Sequence, residues 1–257
     1  MGTPLDPFVF PFGRPGRATP TPARAAELVV LGAYPSALHV RWEPPKPLAP
    51  IKAFAVDVEP HAFWNGADEA ERVDAWKRAV GWREAWGRAL PAGRLNGSSG
   101  VWVDERVLRP LKTARDGAWI TDCLHWYCHS EGNARRTEDT YRPFAKEHGL
   151  PESRLPSHPS EDEIVRQAVD ERPRLVAELA AAQPTLVVTL GNAPLRVLRE
   201  IVDGALPKKL APDAQYGRRI AARFQERVLH VLPLAHPAAP KAYQAAHERW
   251  MAESNAS

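Results

Sequence analysis

Five short apolar runs constrain this chain more than any other feature: Leu28 to Leu31, Phe54 to Val58, Trp119 to Leu124, Leu186 to Leu190 and Val228 to Leu234. Each is too short for a helix and is bounded by turn residues, so each reads as a β-strand. Unbroken apolar runs, unlike alternating ones, imply cover on both faces, which is the habit of a buried parallel sheet. Helical stretches separate several of them. Asp68 to Leu90 is rich in Ala, Glu, Arg and Trp and sets Val73, Trp76, Val80 and Trp86 near helical spacing. Ser160-Glu161-Asp162-Glu163 matches a capping box and predicts a helix that bends at Pro173 and resumes as Arg174 to Ala182. A Gly191-Asn192 turn leads into a helix over Pro194 to Val202, ended by Gly204, and a last helix starts at Lys241 and runs to about Ala252. This alternation predicts an α/β fold, a three-layer αβα sandwich around a short, mainly parallel central sheet.

Composition sets the outer bounds. The chain has 257 residues, 44% of them hydrophobic, which suffices for a core of ordinary size. Residues 1–26 are rich in Pro with no apolar period and read as an extended N-terminal arm, with a single domain expected over 27–257. No run approaches the roughly 18 apolar residues of a membrane span, and the N-terminus lacks the layout of a signal peptide, so a cytoplasmic protein with no membrane partner is expected. A formal charge of +3 and a pI near 8.9 leave room for a basic face toward phosphates. Cys123 and Cys128 are too few for a four-thiolate cluster and read as free thiols. His39 and His61 belong to no set of ligands at metal spacing, so neither metal nor cofactor is expected. The stretches 44–50 and 129–159 read as loops, the second anchored by Tyr141 and Phe144. Oligomeric state is not legible.

Ligands of open α/β sheets bind where parallel strands end. The predicted strand ends are Gly32-Ala33-Tyr34-Pro35-Ser36, Ile120-Thr121-Asp122-Cys123, Leu190-Gly191-Asn192-Ala193 and Leu234-Ala235-His236-Pro237-Ala238. Taken singly, each is an ordinary turn or a structural His-Pro. Their order, a Gly-x-x-Pro loop, a polar residue in a middle strand, a Leu-Gly-x-x-Ala turn and a late His-Pro-small loop, resembles the uracil-DNA glycosylase superfamily over about Leu28 to Tyr243. The layout is closest to the iron-sulfur branch, although the cluster cysteines are lacking.

The resemblance implies a DNA base-excision glycosylase that flips a uracil or deaminated base out of DNA and hydrolyses its N-glycosidic bond. It implies that His236 donates to the base oxygen where charge collects and that Tyr34 stands beside the first loop as the second candidate catalytic group. Gly32, Ala33, Pro35, Asp122 and Asn192 would line the base, and Phe54 would stack on it. Phe54 reads equally as core packing, with Phe63 a rival. Gly191 and Lys241 would meet the DNA backbone, the former through amides at a helix start, with Lys208, Lys209, Arg218 and Arg219 as further charge. The partner implied is DNA, single- or double-stranded.

Two departures matter. Asp122 stands where the family commonly has a base-reading Asn. An ionised carboxylate only accepts, so an altered or lost uracil preference is expected, in favour of a base with an exocyclic amine. Ala33 and Tyr34 occupy positions where family members often carry a water-positioning carboxylate, and a phenol is a poor base at neutral pH. Asp57 and Glu59 are substitute carboxylates or a solvated strand end. The alternative is a non-catalytic member that binds nucleic acid or nucleotide, and a third reading is a small-molecule hydrolase on the same scaffold.

Overall fold

The computed structural model describes residues 7–19, 21–213 and 216–256. Among these the chain forms, in order, β1 (Leu28–Gly32), β2 (Ala37–Glu43), β3 (Ile51–Val58), α1 (Glu69–Val80), β4 (Arg88–Pro91), α2 (Ser98–Val103), β5 (Ala118–Asp122), α3 (Glu131–Arg136), α4 (Arg142–His148), α5 (Glu161–Ala182), β6 (Leu186–Leu190), α6 (Asn192–Arg199), β7 (Ile220–Phe224), β8 (Arg227–Leu234) and α7 (Lys241–Ala256). No helix among the described residues is long and apolar enough to cross a membrane. The fold is mixed α/β, and its central sheet, flanked by helices, makes a three-layer αβα sandwich.

The described residues group into two compact units that alternate along the sequence: the first holds residues 7–19, 35–101 and 125–159, the second residues 21–34, 102–124, 160–213 and 216–256. The second unit contains the central sheet, in the order β5-β1-β6-β8-β7, parallel except for the antiparallel edge pair β7 and β8. β1 and β6 are buried at every residue, as expected of unbroken Val/Leu runs covered on both faces. α5 begins with the expected capping box, Ser160 accepting from the Glu163 amide while the Glu163 carboxylate accepts from the Ser160 amide. Pro173 does not break it. The ring lies on the exposed side, and the carbonyl it leaves without a donor belongs to Val169, a residue 66% exposed, so water can replace the missing bond.

The first unit is built on a three-stranded antiparallel sheet, β3-β2-β4. Phe54 to Val58 therefore belongs to a separate antiparallel sheet, a correction to the parallel placement expected from its continuous apolar run. An aromatic cluster of Phe12, Trp42, Phe54, Trp76, Trp86 and Tyr141 fills its core. The tryptophans between 64 and 86 thus spend their surface on packing, which for large aromatics dominates core energetics. α1 is shorter than the expected helix: it stops at Val80, with Gly81 in the left-handed conformation (φ 64), and the chain re-enters the sheet as β4. Gly87 permits that return, because at φ +84 a Cβ there would lie 2.1 Å from the Glu43 carbonyl oxygen.

The arm expected over residues 1–26 is folded in where it is described. Phe10 and Phe12 are buried, Val9 and Arg154 exchange amide-carbonyl bonds of 2.7 Å each way, and the Phe12 amide donates to Tyr141 Oη at 2.6 Å. The stretch 129–159 is not a bare loop either. It carries α3, a wide helical turn at Thr137–Tyr141 and α4, with Tyr141 and Phe144 buried as its anchors.

Candidate functional site

Four parallel strands end at one rim of the second unit, and their exits are tied pairwise. β1 and β5 run in register up to Gly32 and Asp122, after which the Cys123 amide donates to the Gly32 carbonyl (2.9 Å) and the Leu124 amide to the Ala33 carbonyl (3.0 Å). This holds the first loop, Ala33 and Tyr34, against the exit carrying Asp122. β6 and β8 are closed in the same way by the Gly191 amide donating to the Leu234 carbonyl at 2.8 Å. Gly191 has φ +98, and a Cβ built on it would lie 3.5 Å from the Cβ of His236. The rim thus reads Asp122, then Gly32 to Tyr34, then Gly191, then His236. Adjacent strands are about 4.8 Å apart, so the exits of β5 and β8, three spacings apart, are separated by roughly 14 Å at the backbone. Asp122 and His236 thus stand at the two ends of this row of strand exits, with the first loop and Gly191 between.

His236 is exposed at the start of a turn in which the Ala239 amide donates to its carbonyl. The Ala238 amide donates to its Nδ1 at 3.2 Å. A neutral imidazole that accepts at Nδ1 carries its proton on Nε2, so the ring presents an N–H donor. One residue earlier, Ala235 is fixed by a buried relay: its amide donates to Tyr216 Oη (2.9 Å), which is 2.8 Å from His247 Nδ1, and His247 Nε2 lies 2.9 Å from the Arg106 carbonyl. A hydroxyl that accepts from Ala235 has its own proton for His247, and His247 then donates from Nε2. Burial pushes the Tyr216 phenol up to about 12 and holds the His247 ring below the usual histidine range, so both stay neutral in this relay.

At the other end Asp122 is 6% exposed. Its carbonyl accepts from Arg174 Nη2 at 2.7 Å, and the Cys123 carbonyl accepts from the same nitrogen at 3.0 Å. Arg174 is held in turn by Glu171 and Glu178, each at 2.7 Å, three residues before and four after it on α5. Arg174, Tyr216 and His247 escaped the sequence reading. The Glu-Arg-Glu spacing on one helix face was a usable signal for the first; the other two are 31 residues apart and left none.

The remaining candidates divide. Asn192 has a structural partner at each end of its amide, Nδ2 donating to Glu161 and Oδ1 accepting from the Leu210 amide, and so supports the turn. Lys241, Lys208, Lys209, Arg218 and Arg219 are exposed. Pro35 and Phe54 belong to the first unit. Phe54, 1% exposed, is stacked on Trp42 with ring centroids 5.3 Å apart, so it packs the core and has no free face for a base. Glu59 is 6% exposed and accepts from the Ser36 and Trp64 amides, while Asp57 pairs with Arg14. Neither is a solvated strand-end carboxylate.

Cys123 and Cys128 are buried free thiols, and burial pushes both up, Cys128 to about 12, which leaves them unreactive. Among the described residues no group of three or more His, Cys, Asp or Glu is placed to hold a metal ion. The fold and rim define an α/β protein with a polar site at the carboxyl ends of its parallel strands. No protein-family model matches the chain, and no curated protein matches it.

Proposed function

We propose that the rim of the second unit is the base pocket of a DNA base-excision glycosylase of the uracil-DNA glycosylase superfamily, acting on a flipped uracil or deaminated base. The observation that supports this most is the placement of His236: it follows the exit of β8, exposed, with Nδ1 accepting from the Ala238 amide, which makes Nε2 the donor end of the neutral ring. When the C1′–N bond breaks, its electron pair goes to the departing base and positive charge develops on the sugar. A fixed N–H aimed at the base oxygen stabilises that charge without reorganising. Water adds to C1′ and releases a proton to solvent, and the products are an abasic sugar and the free base. Asp122 at the other end of the row accepts from an exocyclic amine or ring N–H, which favours bases richer in donors than uracil. The buried relay through Tyr216 and the Arg174 bonds to the Asp122 carbonyl keep the two ends in place.

A second reading is a superfamily member that binds bases or nucleic acid without cleaving them. Ala33 and Tyr34 favour it, since the first loop has no carboxylate to position water. Cleavage assays on oligonucleotides carrying uracil, hypoxanthine, xanthine or cytosine, single- and double-stranded, separate the two. The glycosylase reading expects abasic sites whose formation falls about a hundredfold in His236→Ala, and Asp122→Asn to shift preference toward uracil. Binding with no abasic product from any of these substrates supports the second reading and refutes the first.

A further inference from the structure

A cleft of about 360 Å³ lies in the first unit, and none of its lining residues belongs to the rim described above. Its walls come from residues 14–19, from β2, from the end of β3 and from α1. Three arginines, Arg14, Arg17 and Arg72, and two carboxylates, Asp57 and Glu59, line it, and a third carboxylate, Asp68, pairs with Arg72 from outside the lining, so the charges balance. The arginines are held in a particular way. Arg14 donates through Nε to Asp57 at 2.7 Å, and Arg72 donates through Nε to Asp68 at 2.7 Å. In both, the two terminal nitrogens have no partner among the described residues, although the anchored Nε has already fixed the plane of the fork. Asp68 is itself fixed by Trp64 Nε1 at 2.7 Å, and Asp57 by the Val58 amide at 2.9 Å. Both carboxylates are therefore committed to orienting a guanidinium.

Arg17 adds the second element. Its guanidinium lies 5.4 Å from the Phe8 ring centroid and 5.3 Å from that of Trp126, and Nη1 is 2.9 Å from His125 Nε2. Phe8, Arg17, His125 and Trp126 are all partly exposed, so a layered cation-aromatic stack opens beside the arginine cleft. Pre-oriented forks with unused donors bind oxyanions such as phosphate. With no surplus of positive charge, the cleft suits a monoanionic phosphodiester better than a dianionic phosphomonoester. Aromatic faces alternating with cationic groups along a groove are the chemistry that holds single-stranded nucleic acid, backbone on the arginines and bases on the rings.

We infer that this face of the first unit binds a short single-stranded nucleic acid segment, with phosphodiester oxygens on the free ends of Arg14 and Arg72 and a base on the Trp126–Phe8 layer. The inference does not rest on glycosidic activity, and binding is measured without it. The test is fluorescence anisotropy of the full chain with a labelled oligo-dT of about eight nucleotides, a length within the usual footprint of such grooves. Arg72→Gln should weaken binding about threefold to tenfold and reduce the salt slope by about one. Arg14→Lys keeps a charge beside Asp57 but removes the fork, and should act in the same direction. Trp126→Leu should weaken binding about tenfold with little change in salt slope, because stacking carries no counterions.

Oligo-dT carries none of the bases the rim is proposed to cleave, so binding that weakens in Arg72→Gln and Trp126→Leu supports this site even where the parent forms no abasic sites, and cleavage that persists with binding unchanged in both variants overturns this site alone. Should Arg14→Lys fail to fold, the exposed Arg72 and Trp126 variants still decide. Affinity for the oligonucleotide unchanged in both of those would overturn the inference. So would retention of inorganic phosphate with no oligonucleotide binding, or equal loss of duplex and single-strand affinity in Arg72→Gln with none in Trp126→Leu.

Discussion

Tyr216→Phe removes one oxygen atom and nothing else, at a point where two buried groups depend on it. The Ala235 amide donates to that oxygen at 2.9 Å and His247 Nδ1 lies 2.8 Å from it. Ala235 is 3% exposed, His247 2% and Tyr216 8%, so water has no ready route to replace the hydroxyl. Phenylalanine fills the same volume, and no cavity contribution enters. The cost is that of stranding a buried donor and a buried acceptor, about 1–3 kcal/mol each, or about 2–6 kcal/mol together. At about 2–4 °C of melting temperature per kcal/mol for a protein of this size, a cost near the middle of that range lowers the midpoint by roughly 8–16 °C. Urea unfolding of parent and variant measures the free energy directly, and amide exchange at Ala235 shows whether the loss is local. Tyr243→Phe is the internal control: its hydroxyl donates to the Leu210 carbonyl at 2.9 Å from a half-exposed position, where about 1 kcal/mol is expected. A Tyr216→Phe loss below about 0.5 kcal/mol, or one no larger than that of Tyr243→Phe, would refute the idea that this oxygen holds the chain entering the His236 turn.

Further perturbations follow the same logic. Arg174→Met removes the guanidinium between Glu171 and Glu178, whose side chains are only 8% and 13% exposed, and should cost about 3–5 kcal/mol in urea unfolding. Gly87→Ala should cost at least about 2 kcal/mol in the same assay, since φ +84 and a backbone oxygen 2.1 Å from the new Cβ oppose it together. Burial holds His247, His39 and His129 below the usual histidine range, so the unfolded chain binds their protons more readily than the folded one. Stability should therefore be full above the unfolded histidine value of about 6.5 and fall as pH drops through it, and His247→Gln should make that fall shallower. A melting temperature independent of pH between 7 and 5, about the window those shifts define, would contradict it.

The parallel sheet was legible because its signal is local. Leu28 to Leu31 and Leu186 to Leu190 are buried on both faces, so every residue had to be apolar, and a run of that kind announces itself. Phe54 to Val58 shows the limit of the same signal. It is as apolar as the others because an aromatic core covers one face and Phe10, Ala37 and Tyr127 the other, yet its partners are antiparallel and its sheet is a different one. Local pattern reports burial, not pairing. β2 is harder still: Ala37–Glu43 carries His39, Arg41 and Glu43 on its less buried side, and irregular registers at Leu38/His39 and Val40/Trp42 disturb the alternation. The N-terminal arm misled for a related reason, since its Phe10 and Phe12 are core residues without any period, fixed by contacts to Arg154 and Tyr141 far along the chain.

At the rim, the strand-end residues were easier to find in the sequence than those that hold them. Strand ends advertise themselves through Gly and Pro, and Gly32, Asp122, Gly191 and His236 are brought to one edge by ladder bonds that follow from strand order alone. The supports obey a different logic. Ala235 and the Asp122 carbonyl are backbone groups with no side-chain signature, and each is satisfied by a residue from a distant segment, Tyr216 in one case and Arg174 in the other. Each support has its own demand for satisfaction, Tyr216 from His247 and Arg174 from two glutamates, so the polar shell is closed at both ends. A closed shell is stiff, because moving one member strands another in a dry environment. Under the proposed function, replacing Asp122 should therefore alter substrate preference while leaving the strand exit standing, whereas replacing Arg174 should loosen the exit itself. The two variants differ in their unfolding curves before any substrate is added, and equal stability losses would mean that the carbonyl contacts of Arg174 do not hold that exit.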